Sequence, residues 1–131
     1  MSLPDMMTAI GIPVPGGPEA LVVEKRPVPR PDRGEVLVRV RAAGVNRPDV
    51  LQRQGGYPPP PGASDIPGLE IAGEIVAAGE GVDGREIGRE VMALVPGGGY
   101  AEYCCAHSSN TLPIPSGLTM AQAGSMPKTF F

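Results

Sequence analysis

The chain has 131 residues, 41% of them hydrophobic, and a formal net charge of −3 from 11 basic and 14 acidic side chains. That length and apolar fraction allow one cored domain and little more. An acidic balance without a basic run excludes the electrostatic footprint of a nucleic-acid binder, and no apolar stretch approaches the roughly 20 residues of a membrane helix, so neither nucleic acid nor membrane is an expected partner.

Nineteen glycines and 17 prolines punctuate short apolar runs, a pattern of many short strands joined by tight turns. Met6 to Ile12 reads as a first strand, stopped by Pro13 to Gly17, and Ala20 to Arg26 as a second. Glu35 to Ala43 is the clearest: Val36, Val38, Val40 and Ala42 recur with period two, as in a sheet with one buried face. Asn46 reads as a helix N-cap whose amide oxygen accepts from the backbone N–H of Asp49, with Pro48 tolerated in the first turn and Asp49 favouring the positive helix start. That helix is expected to end near Gln54 at Gly55-Gly56. Ile71 to Ala78 reads as a strand with Ile71, Ile75 and Ala77 on one face, Val91 to Val95 as a central strand, and Tyr100 to Ala106 as the next. Thr119-Met-Ala-Gln122 is a capping box opening a short helix, with Pro127 expected at its end. The fold class expected is mostly β, a closed or partly closed sheet with one or two short helices.

Several motifs invite chemistry that the residues do not support. Gly79-Glu-Gly-Val-Asp-Gly84 matches G-x-G-x-x-G, but only about five residues separate it from the next strand, too few for the helix a dinucleotide site requires; a turn is expected. Gly97-Gly-Gly99 lacks the Lys-Ser or Lys-Thr of a P-loop and reads as a hairpin connection or as a place where backbone approaches a ligand. Cys104 and Cys105 are neighbours that would point to opposite faces of a strand, so with His107 they lack metal spacing, and no metal is expected. They cannot staple the fold, which points to a reducing compartment, the cytoplasm.

The stretch from Asn46 to Glu70, NRPDVLQRQGGYPPPPGASDIPGLE, is different. A long irregular segment stiffened by four consecutive prolines carries function more readily than disorder. Tyr57 stands between Gly55-Gly56 and Pro58 to Pro61, so its phenol is held on a stiff loop, either as a proton donor to a developing oxyanion or as a hydrophobic anchor. Asn46 and Asp49 serve either as caps alone or as site residues. Glu70, beside Leu69 and Ile71, needs a partner or a wet cleft.

Gly44-Val-Asn-Arg-Pro-Asp49, Leu51-Gln-Arg-Gln-Gly-Gly-Tyr57, Pro67-Gly-Leu-Glu-Ile-Ala-Gly73 and Gly97-Gly-Gly-Tyr-Ala-Glu-Tyr103 together resemble the zinc-independent NADPH:quinone oxidoreductases of the medium-chain dehydrogenase/reductase superfamily, in particular the p53-inducible quinone reductase group. The resemblance runs from about Met6 to Phe131 and covers only that family's N-terminal, GroES-like domain. It implies a GroES-like, partly open β-barrel over residues 6–126, with residues 127–131 starting a linker helix to a Rossmann domain that this chain lacks. Zinc-dependent members of the superfamily place a Cys where Asn46 stands and a His where Leu69 stands, so the resemblance implies no zinc. It further implies NADPH as hydride donor, bound mainly outside this chain, a small-molecule quinone or enone as acceptor, Tyr57 as the catalytic proton donor, Asn46 at the cofactor edge, and Asp49 and Glu70 orienting the floor of the site. Two residues depart from the pattern: Arg89 stands where an Asp is usual, and Lys128 where a Glu usually follows the proline. The expected function is therefore the N-terminal half of a quinone oxidoreductase, without turnover by itself; the alternative is a stand-alone GroES-like binding or structural module. Homo-oligomer formation stays open.

Overall fold

The structure, a computed structural model, describes residues 3–130; residue 131, the end of the expected linker helix, lies outside the described residues. The elements run β1 (Met6–Gly11), β2 (Val22–Pro27), β3 (Glu35–Ala43), α1 (Arg47–Arg53), β4 (Glu70–Ala78), β5 (Glu90–Leu94), β6 (Tyr103–His107), β7 (Thr111–Pro113), α2 (Met120–Gly124) and α3 (Pro127–Phe130). The mostly β expectation holds. A five-stranded antiparallel sheet has the order β6–β3–β4–β5–β7, and β1 and β2 pair separately. The two sheets meet at the Ala9–Ala101 bridge, where Ile10 N–H donates to the Tyr100 carbonyl at 2.8 Å and Glu102 N–H to the Thr8 carbonyl at 3.1 Å. Among the described residues the sheets stay open and do not close into a barrel.

The period-two reading of β3 is half of its story. Val36 and Val38 enter the main core with Ile71, Ile75, Val91, Ala93, Val95, Cys104 and Ala106. Leu37, on the opposite face, is equally buried. β3 is an inner strand, and its first half is covered on both sides, which alternation alone does not reveal. Ala72 likewise turns from this core to a second cluster with Met92 and Ala123, where α2 lies on β4. A third cluster of Met7, Ala9 and Ile66 receives Tyr100 and Tyr103 and fixes the loop before β4 against β1.

The capping box at Thr119 forms as read: Gln122 N–H donates to Thr119 Oγ1 at 3.1 Å, and Thr119 N–H to Gln122 Oε1 at 2.9 Å. Pro127 does not end that helix, which stops at Gly124; it opens α3 instead, where a missing N–H and a fixed φ cost nothing. The G-x-G-x-x-G stretch is a turn leading into a single 3₁₀ turn, Gly84–Glu86, as its short spacing required.

Candidate active site

Asp49 and Glu70 are the two buried charged side chains among the described residues, 4% and 2% exposed, and both belong to the irregular stretch. No cation pairs with either within that region. A carboxylate taken out of water requires donors in place of its hydration shell, and each finds them in distant parts of the chain.

Asp49 is the third residue of α1, with Asn46 at the N-cap and Pro48 in the first turn. Its Oδ2 accepts from the Asn46 backbone N–H at 3.0 Å and from the Tyr100 hydroxyl at 2.9 Å, and its Oδ1 from the Gly68 N–H at 3.1 Å. The carboxylate thus ties the start of α1 to the return loop before β4 and to the turn before β6. Asp49 N–H donates to the Asn46 main-chain carbonyl at 3.0 Å, and the two residues take the reciprocal places of a capping box at the start of α1. Asn46 Nδ2 is enclosed and finds no partner among the described residues.

The network depends on close backbone contact. Gly68 has φ of +109°, and a Cβ there would lie 2.7 Å from Gly99 Cα and from Tyr100 N. Tyr100 N–H donates to the Pro67 carbonyl at 2.9 Å, Gly99 N–H to the Gly68 carbonyl at 3.1 Å, and Gly98 N–H to the Ile66 carbonyl at 2.7 Å. The triglycine therefore admits the chain's own main chain, which brings Tyr100 over Asp49.

Glu70 opens β4. Its Oε2 accepts from the main-chain N–H of Lys128 at 2.8 Å, at the start of α3, while Oε1 lies over Gly44, where a Cβ would collide with it. The partner that its apolar neighbours demanded is thus 58 residues away. Arg89, the other departure noted in the sequence, pairs with Glu86 at 2.6 Å on the surface.

Asn46, Asp49 and Tyr100 are joined by hydrogen bonds, and Gly44 links Glu70 to the residues just before α1. Tyr57 is half-buried on the bend after α1, with no hydrogen bond to that group. Tyr100 was not singled out in the sequence. Its bond to Asp49 spans 51 residues, and no local pattern signals it; the near-neighbour clue was the Gly-Gly-Gly that lets it approach. Burial first, then Asp49, raises its phenol well above the ordinary value, so it stays a donor at physiological pH.

A cavity of about 760 Å³ lies elsewhere, lined by Met7, Ser64, Ile66, Cys105 and His107 among others, and by none of Asn46, Asp49, Tyr57 or Glu70. Burial first, then Cys105 and Glu35, pushes the Cys104 thiol up to about 12; burial, then Glu35 and Asp32, does the same to Cys105. Neutral thiols are poor nucleophiles and poor ligands. Among the described residues no three His, Cys, Asp or Glu side chains gather closely enough for a metal ion. With an amide at Asn46 and a buried leucine at Leu69, the donor set does not fit zinc.

Residues 32–116 match the family model of the alcohol dehydrogenase GroES-like domain. The chain is 36% identical over 115 residues to the mouse synaptic vesicle membrane protein VAT-1 homolog-like, covering 88% of this chain and 28% of that protein. It is 34% identical over 128 residues to rat quinone oxidoreductase, covering 96% and 39%. A mycobacterial protein solved in complex with NADPH superposes with a TM-score of 0.79 at 34% identity, over 92% of this chain and 38% of that one. The chain thus spans between about a quarter and two fifths of the length of these relatives. No helix among the described residues is long and apolar enough to cross a membrane.

Proposed function

Since this chain belongs to the alcohol dehydrogenase GroES-like domain family, of medium-chain dehydrogenase/reductase type, we propose that it is the substrate-side half of an NADPH-dependent, zinc-independent quinone oxidoreductase working in the cytoplasm. The observation that carries this reading is the pair of buried carboxylates, Asp49 and Glu70, gathered around the start of α1 and held by donors from across the fold. Burying two such groups costs free energy that an inert scaffold could avoid with apolar residues. The likeness to quinone oxidoreductases across almost the whole chain supports the choice of substrate.

In this reading NADPH, gripped mainly by polypeptide beyond these 131 residues, supplies a hydride when bound. The chain's own residues do the rest. Tyr57 donates a hydrogen bond, then a proton, from its hydroxyl to the quinone oxygen that becomes the hydroxyl of the product. Its flanking glycines and prolines give the loop few conformations to lose on binding. Asn46, at the N-cap of α1 beside Asp49, lines the cofactor edge of the site. Asp49 and Glu70 keep the floor rigid. A quinone is a strong electrophile already, so its reduction needs positioning and a proton more than Lewis-acid polarisation.

The test is binding and turnover by the chain as it stands. Titration with 1,2-naphthoquinone should perturb amide resonances of residues 44–57 and 68–70, with no oxidation of added NADPH. Perturbation confined to the 760 Å³ cavity would overturn the site, and sustained NADPH oxidation would overturn the placement of the cofactor groups.

A further inference from the structure

We propose that Tyr100 is a positioning residue of this site: its hydroxyl pins the Asp49 carboxylate, and through it the main chain of Asn46. The inference rests on the quinone-site reading for its functional consequence and on geometry alone for its structural one.

The Tyr100 hydroxyl and the Asn46 N–H converge on the same oxygen, Asp49 Oδ2, at 2.9 and 3.0 Å. The other oxygen holds Gly68 at 3.1 Å. Without the phenol, Oδ2 keeps one donor, and rotation about the carboxyl bond can trade the Asn46 contact for another; with it, both oxygens are fixed in one orientation. Tyr100 is itself immobilised. Its N–H is bonded to Pro67, its carbonyl accepts from Ile10, and its ring packs into the cluster of Met7, Ala9 and Ile66. A donor fastened to the sheet thus sets the position of a residue on the loop side. The order of connection is β1 and the return loop to Tyr100, to Asp49, to Asn46. Its raised phenol keeps the proton in place across the physiological range.

A residue that merely props up the fold would, on losing its hydroxyl, loosen every buried amide together. A positioning residue loosens the amides that hang on Asp49 and leaves the sheet alone. The experiment is amide hydrogen exchange by NMR on the chain and on Tyr100→Phe, with Tyr103→Phe as a control from the same cluster, followed by titration of each with 1,2-naphthoquinone. In Tyr100→Phe the amides of Asn46 and Gly68 should exchange about tenfold faster or more, as expected for loss of a charge-assisted bond, while Val38 and Ile71 keep their protection. Quinone affinity should fall about tenfold in parallel, and Tyr103→Phe should change neither. Uniform acceleration, no acceleration, failure of Tyr100→Phe to fold, or unchanged affinity in a chain that binds quinone would each overturn the proposal. If the wild-type chain binds no quinone but Asn46 and Gly68 still respond, the positioning role stands and the quinone reading falls.

Discussion

Along β3 and the body of β4 the buried side chains are apolar, Val36, Leu37, Val38, Ile71, Ala72 and Ile75, and the main chain is paired in an antiparallel ladder with two register shifts. Between Asn46 and the start of β4 there is no ladder, and two buried carboxylates, Asp49 and Glu70, are secured by a few hydrogen bonds from segments up to 58 residues away. The first region is held by many weak, interchangeable contacts, the second by a few directional ones. Loss of one contact in the sheet is therefore shared by the whole domain, whereas loss of one in the loop frees a particular segment. Order and rigidity have different sources in the two halves, and the chemistry proposed here sits where rigidity depends on individual bonds.

The strongest challenge to that contrast is Ile71→Ala. Ile71 is fully buried in the main core, and truncation should cost about 3 to 4 kcal/mol. Far-ultraviolet and tyrosine signals should lose their midpoints together; a loop that survived the loss of the sheet would break the comparison. Asp49→Ala comes next. It leaves three donors without their acceptor and should cost about 2 kcal/mol, with faster exchange at Asn46 and Gly68 well before global unfolding. A global effect equal to that of Ile71→Ala would show that the loop belongs to the sheet's cooperative unit.

The smallest effect per step comes from pH. Cys104 lies in the main core, with Sγ 3.7 Å from the Gly97 carbonyl at the border of the two regions. Burial pushes its thiol from an ordinary 9.0 up to about 12 in the folded chain. Below pH 9 the thiol is neutral folded or unfolded and has no influence. Above it the unfolded chain releases the proton while the folded one retains it, so stability falls with rising pH, by about 1.4 kcal/mol per unit until the folded thiol also ionises. Denaturant midpoints measured from pH 8 upward should show this decline, to which Cys105 adds a similar slope, and Cys104→Ala should remove about half of it. Unchanged decline in that variant would assign the alkaline loss to other groups, Cys105 and Tyr100 first.

Much of the framework could be read from the sequence because its signals are local. Alternation marked β3, Thr119 and Gln122 marked the start of α2, and the Gly-Gly after Gln54 marked the end of α1. Glu70 could be singled out because a carboxylate beside apolar residues is costly wherever the chain goes, and Asp49 because an acid at a helix start is a local signal. Their partners were out of reach of the same reasoning. Tyr100 and Lys128 meet them only through tertiary folding, across 51 and 58 residues; the triglycine before Tyr100 signals a close approach but not the residue approached. The burial of Leu37 was out of reach for a related reason: the second covered face of β3 is a property of the sheet order. Pro127 fits the end of one helix and the start of another equally well, and the short segment between them settles it only in three dimensions.

The bond between Glu70 and Lys128 engages the peptide unit at position 128, with the lysine side chain exposed. Nineteen of the twenty amino acids carry that same donor. Charge at this position can therefore change, acid for base, without slackening the fastening beneath it, and the single replacement that would undo it is the imino acid, which has no hydrogen to give.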